Sequence, residues 1–168
     1  MATLYILCGL PFSGKSTLAR HLATATGSVL VAYDDLWLEK KRETGDSLEF
    51  DELCDLAEGR LAQALEQGLS AVYDTLNNST GWRDRLRHIA ARRGARSVIV
   101  YLNTPLSVIE ARRRKNEITG ERHDVGSDTL RAEVARFEAP WPGENALEFT
   151  PDTNLASWLE ERKAAEAA

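Results

Sequence analysis

Short apolar runs alternate along the chain with segments whose apolar residues recur at helical spacing. The apolar runs predict five strands: TLYILCGL, SVLVAYD, LSAVYDT, ARSVIVYLN and ALEFTPD. The segments with helical spacing predict helices: KSTLARHLATATG, DELCDLAEGRLAQALEQG, STGWRDRLRHIAARRG, PLSVIEARRRKN, SDTLRAEVARFEA and NLASWLEERKAAEAA. This alternation predicts an α/β protein with a parallel sheet covered by helices on both faces. Ligands of such sheets bind at the carboxyl ends of the strands, so functional residues are expected there.

Composition narrows the class of protein without deciding its chemistry. A length of 168 residues predicts one domain over residues 1–168. The two cysteines, Cys8 and Cys54, have no paired spacing, which favours a reducing compartment over a disulfide framework or a zinc site. No apolar run approaches the ~20 residues of a membrane span and no basic leader begins the chain, so we expect a cytoplasmic protein without membrane contact. The net charge of −5 disfavours non-specific binding to long nucleic acids.

The stretch GLPFSGKS, residues 9–16, fits the pattern G-x-x-x-x-G-K-[ST] between the first strand and the first helix. Glycines at both ends let successive backbone N–H groups point at a phosphate chain, and the helix that follows presents its positive end to the same anion. Lys15 is expected to reach the outer phosphates, and the Ser16 hydroxyl to bind Mg²⁺. We therefore predict ATP and Mg²⁺ as cofactors. The predicted nucleotide-binding residues are Gly9, Pro11, Phe12, Ser13, Gly14, Lys15, Ser16 and Thr17.

Acidic residues follow the second and third strands. Asp34 is the better of two neighbouring candidates for a general base that accepts the proton of a substrate hydroxyl, although Asp also favours helix caps. Asp74 is predicted to hold a magnesium-bound water or to position the acceptor, with a cap or turn as the alternative. Trp37 fits a wall of the substrate site or a residue of the core, and the sequence leaves both open.

An arginine-rich segment, approximately residues 112–127, is predicted to form a lid over the nucleotide. It contains Arg112, Arg113, Arg114, Lys115 and Arg122. Arginine forks match the oxygens of a phosphoryl group in transfer. Because neighbours on a helix point about 100° apart, one or two of these arginines at most can face a single site. The alternative is a solvated basic face in which Arg113 pairs with Glu117 one turn on.

These motifs, in this order, resemble the small P-loop kinases of the polynucleotide kinase and zeta toxin group, to which chloramphenicol phosphotransferase and seryl-tRNA kinases are related. The resemblance rests on residues 9–17, on YDDLW and YDTLN after the second and third strands, and on the arginine-rich segment followed by RHDV and FEAP. It implies a P-loop NTPase three-layer sandwich with strand order 2-3-1-4-5. It also implies transfer of the γ-phosphate of ATP to a hydroxyl, with Asp34 as general base. Arg113 or Arg114 and Arg122 would clamp the phosphates, and Asp74 matches the acid after the third strand.

One departure from the family pattern concerns the acceptor. Polynucleotide kinases carry an arginine just after the acids of the second strand, and here that stretch is Leu36, Trp37 and Leu38. Tryptophan cannot pair with phosphate, so we expect a small-molecule hydroxyl as acceptor, with a nucleic-acid 5′ end less favoured. A polynucleotide 5′-hydroxyl kinase and a nucleotide-dependent switch or assembly ATPase remain alternatives. The sequence leaves the oligomeric state open.

Overall fold

The computed structural model describes residues 1–45, 48–75, 77–120 and 125–167, which contain five strands and seven α-helices. The strands are β1 (Thr3–Cys8), β2 (Val29–Ala32), β3 (Ala71–Asp74), β4 (Arg96–Leu102) and β5 (Leu147–Phe149). The helices are α1 (Lys15–Thr26), α2 (Tyr33–Thr44), α3 (Phe50–Glu66), α4 (Thr80–Ala91), α5 (Leu106–Thr119), α6 (Ser127–Arg136) and α7 (Leu155–Ala167). A short 3₁₀ turn, Pro142–Glu144, precedes β5.

The strands form one parallel sheet in the order β2-β3-β1-β4-β5. This confirms the strand order that the resemblance implied. Helices α2, α3 and α4 pack on one face of the sheet, and α1 and α7 pack on the other. The result is the expected three-layer arrangement, in which the carboxyl ends of β1, β2 and β3 meet at one edge.

The central strand β1 is buried on both faces. Leu4 and Ile6 pack into the core against α3 and α4, whereas Tyr5 and Leu7 pack into the core against α1 and α7. Because successive side chains of a strand point to opposite faces, a strand between two helix layers must be apolar throughout. This burial fixes the end of β1, from which the predicted phosphate-binding loop leaves the sheet.

Helix α2 is the one helix that the hydrophobic pattern did not predict. Charged side chains make up much of it, and Leu36 is its single buried residue. The segment therefore lacks the apolar stripe by which an amphipathic helix is recognised. Within the described ranges, no helix combines the length and the apolar character that crossing a bilayer requires.

A buried ion pair joins the segments behind the carboxyl edge of the sheet. Arg83 of α4 has no solvent-exposed surface, and its Nε and Nη2 donate to the two carboxylate oxygens of Glu144 at 2.7 and 2.8 Å. Its Nη1 donates to the carbonyl oxygens of Asn77 at 3.1 Å and Glu138 at 2.9 Å. Arg83 thereby connects α4, the loop after β3 and the chain before β5.

We expect substitution of Arg83 to destabilise the fold strongly. Arg83→Met leaves the Glu144 carboxylate buried with weaker compensation, which costs about 3–5 kcal/mol in the free energy of unfolding. Arg85→Met is the matched control on the same helix, because the Arg85 side chain is 51% exposed and its ion pairs lie near the surface. It should cost about 1 kcal/mol or less. Urea unfolding monitored by circular dichroism measures both, and equal losses would contradict the structural role of Arg83.

Candidate functional site

The loop from Gly9 to Ser16, called the phosphate cradle below, joins β1 to α1 and permits no bulk at its ends. A Cβ atom on Gly9 would lie 2.9 Å from the Ser13 hydroxyl oxygen and 3.1 Å from the Leu102 carbonyl oxygen. Gly14, immediately before α1, has a left-handed backbone with φ 106°. Phe12 also has a positive φ, 60°, which is uncommon for a residue with a side chain. The motif glycines thus occupy positions that other residues fit poorly.

The phosphate cradle presents polar groups that suit an anion. No side chain caps the first turn of α1, whose N–H groups face the loop. The Ser13 hydroxyl is buried and has no hydrogen-bond partner among the described residues. Buried polar groups are normally paired, so an orphaned hydroxyl beside a helix N-terminus fits a site that receives phosphate oxygens.

Lys15 lies folded back onto the loop. Its Nζ donates to the carbonyl oxygens of Gly9 at 2.6 Å and Leu10 at 3.0 Å. Burial lowers the pKa of Lys15, and the negative charges of Asp74, Glu133 and Asp34 counteract that shift. The ammonium group is therefore buried against two carbonyl oxygens of the loop, within the electrostatic influence of nearby carboxylates.

Ser16 and Asp74 meet beside Lys15. Burial raises the pKa of Asp74, while a hydrogen bond with the Ser16 hydroxyl and the charge of Lys15 oppose the rise. A hydroxyl and a carboxylate are the donor set that P-loop proteins offer to Mg²⁺, which takes its other ligands from phosphates and water. The residues present fit this ion, although no group of three or more metal-ligating side chains is found in the described ranges.

The two acids after β2 have different surroundings. Asp35 forms an exposed ion pair with Arg20, with the Arg20 Nη2 and Asp35 Oδ1 atoms 3.1 Å apart. The Asp34 side chain is exposed, and no hydrogen bond or ion pair joins it to another described side chain. Because Ala32 at the end of β2 pairs in register with Asp74, Asp34 lies at the same sheet edge as Asp74. Its charge raises the pKa of both Lys15 and Asp74. Both acids belong to the first turn of α2, and the cap residue is Ala32.

Of the consecutive arginines in α5, Arg112 contacts the phosphate cradle. Its Nη1 donates to the carbonyl oxygens of Phe12 at 3.0 Å and Ser13 at 2.9 Å. Arg113 instead pairs with Glu117, which is the alternative that the sequence left open, and Arg114 lies within 3.9 Å of the Glu110 carboxylate. Arg122 lies outside the described residues. Arg112 is thus the arginine of this run that contacts the phosphate cradle, and the phosphate-clamping role that the resemblance implied for Arg113 or Arg114 and for Arg122 stays a prediction.

A cavity of about 360 Å³ opens beside the phosphate cradle, on the side of β4 and β5. Its walls are contributed by α1, α5 and the start of α7, and they include Phe12, Thr17, His21, Arg112, Asn116 and Phe149. Ligand sites of proteins are mostly apolar clefts of this size with a few polar groups. The cavity and the acids Asp34 and Asp74 lie on opposite sides of the cradle, because β2 and β3 form the other half of the sheet.

Trp37 is half-buried, and its ring is covered by Lys41, whose Nζ lies 4.6 Å from the ring centroid. The ring also packs against the core on the α3 face. Three other aromatic side chains, called the aromatic cluster below, lie at the starts of α2, α3 and α4: Tyr33, Phe50 and Trp82. The ring centroids of Tyr33 and Phe50 are 5.6 Å apart, and those of Phe50 and Trp82 are 6.4 Å apart.

Sequence reasoning missed the residues that hold the loop after β3. Asn77 is buried, and its Nδ2 donates to the Leu7 carbonyl oxygen at 2.8 Å, next to the phosphate cradle. Asn78 donates to Glu133 of α6 at 2.9 Å. The sequence contains a signal for Glu133, because this acid shares the apolar face of α6 with Leu130 and Phe137 at positions i−3 and i+4.

Neither thiol has the character of a nucleophile. Burial raises the pKa of Cys8 to about 11 and also raises the pKa of Cys54. Thiolate is the reactive form of cysteine, so both side chains stay protonated at neutral pH. Both cysteines are buried and pack as small apolar residues.

The parallel sheet, the glycine-bounded loop and the Lys15–Ser16–Asp74 arrangement define a P-loop protein with the fold of small kinases. The sequence model of an AAA domain family matches residues 4–140, and the chain belongs to that family. This confirms the resemblance to small AAA-type P-loop kinases. No curated protein is significantly similar to the chain in sequence.

Solved structures share the fold over nearly the whole chain. A gluconokinase from Sinorhizobium meliloti is 23% identical, with a TM-score of 0.67, and the match covers 98% of this chain and 91% of the enzyme. The APS kinase CysC of Mycobacterium tuberculosis, in complex with AMPPNP and APS, is 19% identical with a TM-score of 0.66, covering 99% and 98%. Kti12 from Chaetomium thermophilum, in complex with ADP-AlF3, is 22% identical with a TM-score of 0.69, covering 98% and 100%.

We expect Arg112 to contribute more to nucleotide affinity than its neighbour. Arg112→Ala removes a cation that contacts the phosphate cradle and should raise the dissociation constant for Mg²⁺-ATP about tenfold, the usual scale of a charge-assisted contact. Arg113→Ala, the matched control in the same helix, loses only its pair with Glu117 and should change the constant less than about twofold. Isothermal titration measures both constants. If Arg113→Ala raised the dissociation constant more than Arg112→Ala, Arg113 rather than Arg112 would be the residue that contacts the phosphates.

Proposed function

We propose that the protein transfers the γ-phosphate of ATP, bound with Mg²⁺, to a hydroxyl group of a small molecule. The observation that carries the proposal is the position of Asp34. Asp34 lies two residues after Ala32, the last residue of β2, and Ala32 pairs in register with Asp74. Asp74 in turn hydrogen-bonds with the Ser16 hydroxyl of the phosphate cradle. A carboxylate at the sheet edge that carries a phosphate site is suited to act as the general base for phosphoryl transfer.

The residues around the phosphate cradle fit a nucleotide on one side of the loop and a phosphate acceptor on the other. The cavity on the β4–β5 side is large enough for a nucleoside, and the α1 N-terminus leads from it to Lys15. On the other side, Asp34 follows β2 and Asp74 is the last residue of β3. A nucleotide with its base in the cavity would extend its outer phosphates toward these acids, which is the direction that transfer to an acceptor needs.

In this proposal each residue has a distinct role. The N–H groups of the phosphate cradle and the Lys15 ammonium bind and orient the phosphates, and Ser16 with Asp74 would hold the metal. Bound Mg²⁺-ATP supplies the phosphoryl group and neutralises part of its charge. Asp34 orients the acceptor hydroxyl and takes its proton as the oxygen attacks. Arg112 adds positive charge at the outer surface of the loop.

The aromatic cluster supports an acceptor that contains a ring. Phe50 is 37% exposed, and the cluster lies at the same sheet edge as Asp34. Rings bind one another by offset stacking or edge contacts. An apolar wall next to an acid disfavours the backbone phosphates of a nucleic-acid strand. Phosphorylation of a polynucleotide 5′-hydroxyl therefore remains the second candidate function. The relative rates with small alcohols and with oligonucleotides distinguish the two.

We expect Asp34→Asn to separate binding from transfer. The variant keeps the size of the side chain but removes the proton acceptor, so phosphoryl transfer should fall about 10²–10⁴-fold. The dissociation constant for Mg²⁺-ATP should change by only a few-fold. The measurement uses labelled ATP with a panel of ring-bearing alcohols, nucleosides and 5′-hydroxyl oligonucleotides.

Asp35→Asn is the matched control. Asp35 is adjacent to Asp34 but pairs with Arg20 at the surface, so its loss should leave transfer within about twofold of the unmodified protein. Undiminished transfer by Asp34→Asn would remove the assigned base. Oligonucleotides phosphorylated faster than every small alcohol would replace the proposed acceptor class with the second candidate.

A further inference from the structure

A histidine of α1 lines the cavity beside the phosphate cradle. Thr17 and Leu18 in the first turn of α1 and His21 in the next turn form the wall of the cavity on that side. Residues three and four apart on a helix share a face, so all three side chains border the same space. His21 lies about 6 Å further along the helix axis than Thr17. It therefore borders the part of the cavity that lies beyond the phosphate cradle.

The hydrogen bond of the His21 ring fixes which of its nitrogens carries the proton. Its Nδ1 donates to the carbonyl oxygen of Thr17 at 2.8 Å, because a carbonyl oxygen can only accept. In the neutral imidazole, Nε2 is then an acceptor. This nitrogen has no hydrogen-bond partner among the described residues. The cavity wall thus presents one oriented acceptor that the described side chains and backbone leave unused.

The surface of the cavity suits the different parts of a nucleoside. Leu102, Phe149 and Leu155 contribute apolar surface, which suits a flat base. In every nucleotide the sugar lies between the base and the phosphates, and its hydroxyl groups are hydrogen-bond donors. A side chain one turn from the phosphate-binding end of α1 is placed for the sugar rather than for the phosphates. The Nε2 acceptor of His21 matches the hydroxyl donors of that sugar.

We propose that His21 binds a ribose hydroxyl of the nucleotide through Nε2 and thereby selects phosphate donors that carry this hydroxyl. This inference rests on the proposed function, because it assigns the cavity to the nucleoside of the phosphate donor. A site that bonds a hydroxyl disfavours an analogue without it, because the acceptor is left unpaired. The side chain is exposed in the open cavity, so the discrimination is that of a single neutral hydrogen bond.

The test compares the affinity for Mg²⁺-ATP with the affinity for its 2′,3′-dideoxy analogue. Isothermal titration at pH 8, where imidazole is neutral, gives both dissociation constants without any acceptor alcohol. Their quotient, analogue over ATP, measures the contribution of the sugar hydroxyls. We expect about fivefold for the unmodified protein, the scale of one hydrogen bond. The 2′-deoxy and 3′-deoxy nucleotides then show which hydroxyl is bound.

Variants of His21 should abolish this discrimination. His21→Phe keeps a ring at the position and removes the acceptor, so the quotient should fall to about one. His21→Ala should give the same quotient, and it decides the test if the larger phenyl ring keeps nucleotides out of the cavity. Thermal melting shows that each variant is folded.

His88→Phe is the matched control. The Nδ1 of His88 donates to the carbonyl oxygen of Asp84 at 2.7 Å, one turn back in its own helix, as His21 does to Thr17. His88 belongs to α4, which packs on the other face of the sheet from α1. Its replacement should leave the quotient at the value of the unmodified protein.

A quotient near one in the unmodified protein overturns the role of His21. So does a quotient that His21→Phe and His21→Ala leave unchanged, because the hydroxyl would then be bound elsewhere. Complete loss of ATP binding in folded His21→Ala also contradicts it, since one neutral hydrogen bond is not worth that much.

The same titrations separate this inference from the proposed function. If the quotients change as expected but no alcohol is phosphorylated, the proposed transfer fails and the role of His21 stands. If alcohols are phosphorylated and the quotient is one, the role of His21 alone fails. Absence of any binding of Mg²⁺-ATP would overturn both.

Discussion

The buried pair between Arg83 and Glu144 holds together the segments that surround the phosphate cradle. Through Arg83, α4 and the chain before β5 are tied to the Asn77 carbonyl, and the Asn77 side chain is tied to the end of β1 at Leu7. A buried guanidinium is tolerated only when its donors are satisfied, so this centre rigidifies whatever it touches. The geometry of the phosphate cradle therefore depends on the Arg83–Glu144 pair, although neither side chain belongs to the cradle.

Charge is distributed unevenly around the phosphate cradle. Arg112 and Lys115 line the cavity beside β4 and β5. Asp34 lies just beyond β2, and Asp74 is the last residue of β3. This division follows from the strand order. The phosphate cradle leaves the central strand β1, and β2 and β3 lie on one side of β1 while β4 and β5 lie on the other. The sheet topology thus separates a basic side from an acidic side without any special arrangement of the loop itself.

Structural features that depend on residues close in sequence were predicted well, and features that depend on partners distant in sequence were not. The strands, six helices and the phosphate cradle follow from apolar periodicity and from the spacing of Gly9, Gly14 and Lys15. Helix α2 was not predicted because its charged sequence has no apolar stripe. Spacing alone could not choose among three consecutive arginines, since the choice depends on where α5 packs. No pattern in α4 marked Arg83 as buried, because burial of this charge depends on Glu144, which lies 61 residues away in the sequence.

The position of β1 has a consequence for how the protein is made. Leu4 pairs in register with Ala71 on one side and with Ser97 on the other, so the strand acquires its neighbours only after most of the chain exists. Contacts of such long sequence separation slow folding, and during synthesis the amino-terminal segment leaves the ribosome well before its partners. The phosphate-binding motif is therefore translated before the two strands that hold β1 in place, and it can bind phosphate only after they have paired with β1.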